Sequence, residues 1–422
     1  VRFAVVSCSN YPAGSFNVYR EIAGLDNLDA VLHLGDYLYE YDSDPDSYGA
    51  AQAEAMGRMF PASNNRELIT LEDYRHRYAI YRGDDHLREL HRKVPFITVW
   101  DDHEVANDTW RNGAENHNAD EGDFSDRKLD ALRAYFEWMP IRPVTDGDQE
   151  TISRSFRFGD LVDLHMLDTR IIGRDEQLAY TDYLTQDGID AARFAADVGD
   201  PNRTMLGAEQ RLWLENALAT STATWQVLGQ QVLMGRMTLP AELLAGIINP
   251  DPSVLLPLFA ELAGLKGRYL AGDPSLTDEE IARIEREVIL ETARQLQKNL
   301  VVLAGDTHNA WASNLKTGNG DQVGVEFATP GVSSPGLEDY LQLPEATIPD
   351  AEAAIELLVD DLDYLNVNQR GYMLVTFTPD EARADWRFVS TVKDRNYEIV
   401  SGRNAARQTL PGPGNRSLVT PG

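Results

Sequence analysis

The chain has 422 residues, 43% hydrophobic and 25% charged, with 31 Gly and 20 Pro, a mix that excludes disorder and fibre and supplies apolar surface for one large or two to three smaller domains. Asp and Glu number 68 against 38 Lys and Arg, a formal net charge of −30 that repels nucleic-acid phosphate and anionic membranes and excludes a duplex-binding role. The single cysteine, Cys8, rules out an internal disulfide, and no stretch reaches the roughly 20 uninterrupted apolar residues of a membrane span.

Val1 to Ser7 and Ala30 to Leu34 read as short strands around a helical segment, Val18 to Leu25, an α/β opening. With a strand at its first residues, the chain is expected to have lost any leader or preceding domain. Tyr41 to Asn65 reads as an irregular excursion, Leu71 to Arg82 and His86 to Arg92 as helices, and Val94 to Trp100 as a third strand. After the polar stretch Asn112 to Asp126, a helix is expected over Lys128 to Met139, and then a hairpin, Ser153 to Phe158 with Leu161 to Leu167, that starts a second sheet.

Arg174 to Pro201 reads as a long acidic connection, Ala208 to Leu218 as a helix and Trp225 to Val232 as a strand. The most apolar stretch, Leu239 to Ile248 continuing through Leu255 to Leu258, is broken by Pro and Asp. Thr277 to Glu280 forms a capping box for a helix reaching Gln297, and strands follow over Leu300 to Leu303, Val323 to Ala328, Tyr372 to Phe377 and Trp386 to Val389. The tail from Ser401 has no periodicity.

Three polar clusters fall at the C-terminal ends of expected strands: His33-Leu34-Gly35-Asp36-Tyr37-Leu38-Tyr39-Glu40, Trp100-Asp101-Asp102-His103-Glu104 and Ala304-Gly305-Asp306-Thr307-His308-Asn309. That edge of an α/β sheet is where ligands bind, and Cys8 ends the first strand beside it. Each motif alone is as readily a turn, a cap or a buried thiol. Together, four strand ends assemble an inventory of metal ligands. Elsewhere His76, His86 and His91 read as solvated helix residues, His117 as a loop residue and His165 as a core histidine. A Gly-Lys-Ser/Thr phosphate loop and a Gly-x-Ser-x-Gly elbow are both absent, against ATP-driven or serine-esterase chemistry.

The order Asp-x-x-Tyr, Asp-His-Glu, Gly-Asp-x-His resembles the calcineurin-like metallophosphoesterase superfamily. Ser7-Cys8-Ser9, His33 to Tyr41, Trp100 to Trp110, Leu167 to Arg170, Leu206 to Gln210 with Trp225 to Met234, and Leu303 to Trp311 are similar to the PhoD family of alkaline phosphatases. The resemblance runs from the first strand to about Gly336.

It implies a four-layer α/β/β/α sandwich of two mixed sheets. The N-terminal half would supply one sheet and the strands from Leu300 onward complete the other. One catalytic domain would span 1–400 without the family's small N-terminal β domain, and the tail 401–422 would lie over the site mouth. A ferric ion would take Cys8, Asp36, Tyr39 and His308. A second ion would take Asp36, Asp102 and Asp306, with Asp101 and Asn107 as additions.

Anionic thiolate, phenolate and carboxylate favour Fe(III), and the oxygen-rich second position suits Ca²⁺, one or two ions, in preference to Mg²⁺ or Zn²⁺. The implied activity is metal-dependent hydrolysis of phosphate mono- or diesters, with hydroxide from a metal-acidified water attacking in line. His103 would protonate the leaving alkoxide. Arg170 would either meet the substrate's non-bridging oxygens or form a structural ion pair. Alternatives are a phospholipase D-like phosphodiesterase and a non-catalytic Ca²⁺-dependent binding protein. By the same resemblance the protein is expected to be exported, to the periplasm or beyond.

Overall fold

Apolar runs that can bury both faces form the central strands. They include β1 (Arg2–Val6) and β2 (Ala30–His33); β3 (Phe96–Thr98) lies at a sheet edge, as does β4 (Arg154–Phe158), a polar-alternating strand that turns at Gly159 with φ +60° into the buried β5 (Val162–Met166). A small ribbon, β6 (Leu184–Thr185) and β7 (Gly188–Ile189), precedes β8 (Trp225–Gly229) and β9 (Leu300–Ala304). There follow β10 (Ala310–Lys316), β11 (Gln322–Ala328), β12 (Leu362–Asn366), β13 (Gly371–Phe377), β14 (Ala382–Val389), β15 (Ile399–Val400) and β16 (Ala406–Thr409). This computed structural model describes every residue except 140, 186–187, 199, 201, 237–283, 401–404 and 422. The interrupted apolar stretch from Leu239 and the capping box at Thr277 lie outside the described residues; the helix expected there is described over Ile284–Gln295.

Two mixed sheets result, one in the order β15-β14-β13-β1-β2-β3 with β16 also on β14, the other β12-β10-β11-β9-β8-β5-β4. The expected division of the chain between them does not hold. Strands β13 to β16 join the N-terminal sheet through the antiparallel pair β1–β13, while β4, β5 and β8 join β9 to β12. The sheets face each other across aromatic contacts: Phe3 meets Phe158 at 5.0 Å and Phe327 meets Trp386 at 5.9 Å between ring centres. Trp225 and Trp386 donate indole N–H across the gap to the carbonyls of Thr378 and Ala328.

Helices cover the outer faces and complete four layers. Tyr74 and Tyr78 of the helix Leu71–Gly83 and Leu132 and Tyr135 of the helix Phe124–Trp138 belong to the large core with the first sheet. Helices Gly207–Thr220 and Ile284–Gln295 build one smaller core on the second sheet, and Ile348–Leu358 builds another. No helix among the described residues is long and apolar enough to cross a membrane.

The tail corrects its expected place. Ala406–Thr409 is a strand rather than irregular chain, and Arg416 donates to the Gln297 carbonyl and to Asn299. Asn299 precedes β9, so the described tail packs at the end opposite the polar clusters instead of over their mouth. His91 is also not solvated: its ring stacks on Phe96 at 3.8 Å, Nε2 meets the Tyr37 hydroxyl at 2.9 Å, and burial lowers its pKa to about 3.

Candidate metal centre

Parallel pairing sets the site. β1, β2 and β3 run parallel, as do β5, β8, β9 and β11, so each set ends its strands on one edge. A parallel bridge from Ser7 to Gly331 ties the two edges together. The chain must turn sharply there, and Cys8, Asp36, Asp306 and His308 all take the left-handed conformation, with φ between 52° and 62°. Non-glycine residues hold that conformation only where surrounding structure imposes it, at a cost of about 1–3 kcal/mol each, and they cluster at functional sites.

Among the described residues three groups of potential ligands converge. Cys8, Asp36 and His308 form one, Asp36, Asp102 and His103 a second, and Asp101, Asp102 and Asp306 a third, the ligand atoms of each lying within 4.8 Å of one another. Asp36 is shared by the first two groups and Asp102 by the last two. The Tyr39 hydroxyl joins the first, 3.1 Å from both Asp36 Oδ2 and His308 Nε2. Asn107 is the one candidate whose side chain is turned elsewhere: its amide donates to Glu115 at 3.1 Å and its backbone N–H to Glu40 at 2.7 Å.

The donor chemistry fits cations. Burial first, then Asp36, pushes the Cys8 thiol and the Tyr39 phenol well above their ordinary values, and burial raises Asp36 against the opposing pull of His103 and His308. Groups packed this closely ionise together only beside positive charge. Asp36 Oδ1 and Asp101 Oδ2 are buried without a hydrogen-bond partner among the described residues, as expected of oxygens kept for an ion.

Part of that charge is built in. Arg170, 2% exposed, lies 2.5 Å from both Asp101 and Asp306, 3.5 Å from Asp108 and 3.7 Å from Asp102. Of its two expected roles the geometry gives the ion pair.

Supporting residues went unread in the sequence. Glu104, fully buried, accepts the backbone N–H groups of Asp36 at 3.0 Å, Asp101 at 2.6 Å and Tyr37, and so bolts two ligand loops together. Glu40 holds His103 Nδ1 at 2.7 Å; burial disfavours the imidazolium, but Glu40, Asp36 and Asp102 outweigh it and raise the histidine's pKa. Ser334 donates to the Tyr39 hydroxyl at 2.7 Å, and Tyr48 meets His308 Nδ1 at 3.0 Å.

Fold and site together define an α/β/β/α sandwich with a cradle of metal-ligand chemistry where its two parallel strand sets end. The sequence model of the PhoD-like phosphatases matches residues 3–386, and the chain belongs to that family. Alkaline phosphatase D of Bacillus subtilis (strain 168) is 32% identical over 404 residues, 94% of this chain and 60% of that protein. The chain thus spans less than two thirds of this curated relative's length. A solved structure described as "Structure of PhoD" superposes with a TM-score of 0.71 at 26% identity, covering all of this chain and 71% of that one.

Proposed function

We propose that this chain hydrolyses phosphate esters as an alkaline phosphatase with phosphodiesterase activity, using metal ions held by the residues above. The observation that carries the reading is the gathering of Cys8, Asp36, Tyr39 and His308 from distant parts of the chain. Thiolate, phenolate and carboxylate together suit a trivalent ion, assigned as Fe(III), and the oxygen-rich set Asp36, Asp101, Asp102 and Asp306 suits Ca²⁺. Bound there, such ions supply Lewis acidity toward phosphoryl oxygens and acidify water. They also reverse the local potential of a chain whose net charge of −30 otherwise repels an anionic ester.

His103 is the proton donor in this reading. Its Nδ1 is taken by Glu40, which leaves Nε2 to carry a proton to the leaving alkoxide. Glu40 is a positioning residue, fixed in turn by the Asn107 N–H and the Asn116 amide. Export to the periplasm or the medium belongs to the same proposal, tested by fractionating cells that express the full-length gene.

Elemental analysis of protein purified without chelator, paired with turnover of mono- and bis-nitrophenyl phosphate and of phosphatidylcholine, tests the function. The expected result is about one iron per chain with calcium and hydrolysis of both nitrophenyl esters. Full turnover by iron-free protein would overturn the metal assignment. No turnover with iron and calcium bound would overturn the activity, and preference for phosphatidylcholine would move it to the phospholipase D type.

A further inference from the structure

A cavity lies beside the metal-capable groups. It measures about 350 Å³ and is lined by apolar side chains such as Leu178 and Phe194 together with Gln177, the cations Arg174, Arg203 and Arg286 and the carboxylates Asp175 and Asp200. That volume and mixture are those of a small-molecule site. None of the candidate ligands lines it, yet its wall is continuous with theirs. Gln177 donates to the Asp108 carbonyl at 3.0 Å, and the Asp108 N–H donates to Asp102 Oδ2 at 2.6 Å. Thr169, also in the wall, immediately precedes Arg170.

Arg174 is the unusual member. Among the described residues its guanidinium has neither a hydrogen bond nor an ion pair, and Nη1 is buried without a partner. Arg170, four residues earlier, is occupied by four carboxylates. With Nη1 buried and unpartnered and the rest of the group at the cavity wall, the guanidinium is placed to take an anion from outside, although the chain has 68 acidic residues that could have paired it. Asp306, Asp101 and Asp102 lie near enough to act on it electrostatically, while burial and Arg170 lower its proton affinity.

Resting on the phosphoesterase reading, we propose that Arg174 grips a non-bridging phosphate oxygen of the substrate and that the cavity takes an apolar substituent of the same ester. The substrate class is then a phosphate ester bearing an apolar group. Arg174 supplies the anion contact that Arg170, already saturated, does not.

Calorimetric titration of the metal-loaded full chain with inorganic phosphate and with monooctyl phosphate tests this. Wild-type protein should bind the octyl ester about tenfold or more tightly than phosphate. R174M should weaken both about tenfold, R174K should fall between because an ammonium keeps charge but not the planar fork, and L178W, which fills the cavity, should abolish the preference for the octyl chain. Iron and calcium content and melting temperature, compared across the variants, separate these losses from misfolding; should R174M fail to fold, R174K and L178W carry the test. Equal binding by wild type and the Arg174 variants, or octyl phosphate bound no more tightly than phosphate, would overturn the proposal. A protein that binds both probes as expected yet turns over no ester with iron and calcium present would remove the phosphoesterase reading and leave this site standing.

Discussion

In the proposed reaction Glu40 acts through His103 without touching substrate. Fully buried, it offers Oε2 to His103 and Oε1 to the N–H of Asn107 and the amide of Asn116. Replacing it with Gln keeps the shape but removes the charge that holds the imidazole's proton in place. E40Q is expected to lower kcat about tenfold with KM nearly unchanged, and to slow alkyl esters more than nitrophenyl esters, since only poor leaving groups need the proton. Equal slowing across a series of leaving groups counts against the role. The sequence displayed Glu40 and Glu104 inside motifs without disclosing their use, because most of their partners lie on other loops: His103, Asn107 and Asn116 for Glu40, and the Asp36 and Tyr37 N–H groups for Glu104. Cys8, Asp36, Tyr39 and His308 were legible since their chemistry is in the residue type. Tyr48 and Ser334 sit in stretches with neither periodicity nor motif.

At the scale of elements, strand ends and turns carry the geometry. Gly35 has φ +108°, and a Cβ there would lie 2.6 Å from the Asp101 backbone nitrogen, so the ends of β2 and β3 approach only because this residue has no side chain. G35A is expected to destabilise by more than about 3 kcal/mol and to lower iron content, both measurable by urea denaturation and elemental analysis.

On β11, burial raises the Glu326 pKa from 4.5 to about 7, against the N–H groups of Met234 and Gly235 that favour its charged form. The native state then binds more protons than the unfolded chain between those values. Stability should therefore fall as pH rises from about 5 to 7 and level off above, a change of order 3 kcal/mol. E326Q should flatten that slope in melting curves across the range; an unchanged slope refutes it.

Legibility differed by element for a physical reason. β1, β5 and β9 are apolar runs that announce themselves, whereas β10 and β12 mix polar residues into an antiparallel pair and the helix Ile348–Leu358 passed unread between them. Which sheet a strand joins depends on pairings far apart in sequence, such as Phe3 with Val375, and local periodicity holds no record of those.

For the whole molecule, two kinds of negative charge must be kept apart. Most of the net −30 is spread over the surface, where mutual repulsion is screened within about 10 Å at 0.1 M salt. The carboxylates Asp36, Asp101 and Asp102, with Cys8 and Tyr39, are buried, beyond the reach of mobile counterions, and Arg170 compensates only some of them. Removing bound cations with a chelator should therefore lower the melting temperature at any salt concentration, because ligands that bind only the folded chain contribute RT ln(1 + [L]/Kd), about 2.7 kcal/mol at a hundredfold excess over Kd. Added potassium chloride should raise the melting temperature of the metal-loaded and metal-free proteins by similar amounts, leaving the gap between them open. Calcium should close part of that gap and iron with calcium the rest. If potassium chloride alone closed it, the acids would be acting as an ordinary solvated surface, and the buried cluster would lose its claim to be a cation site.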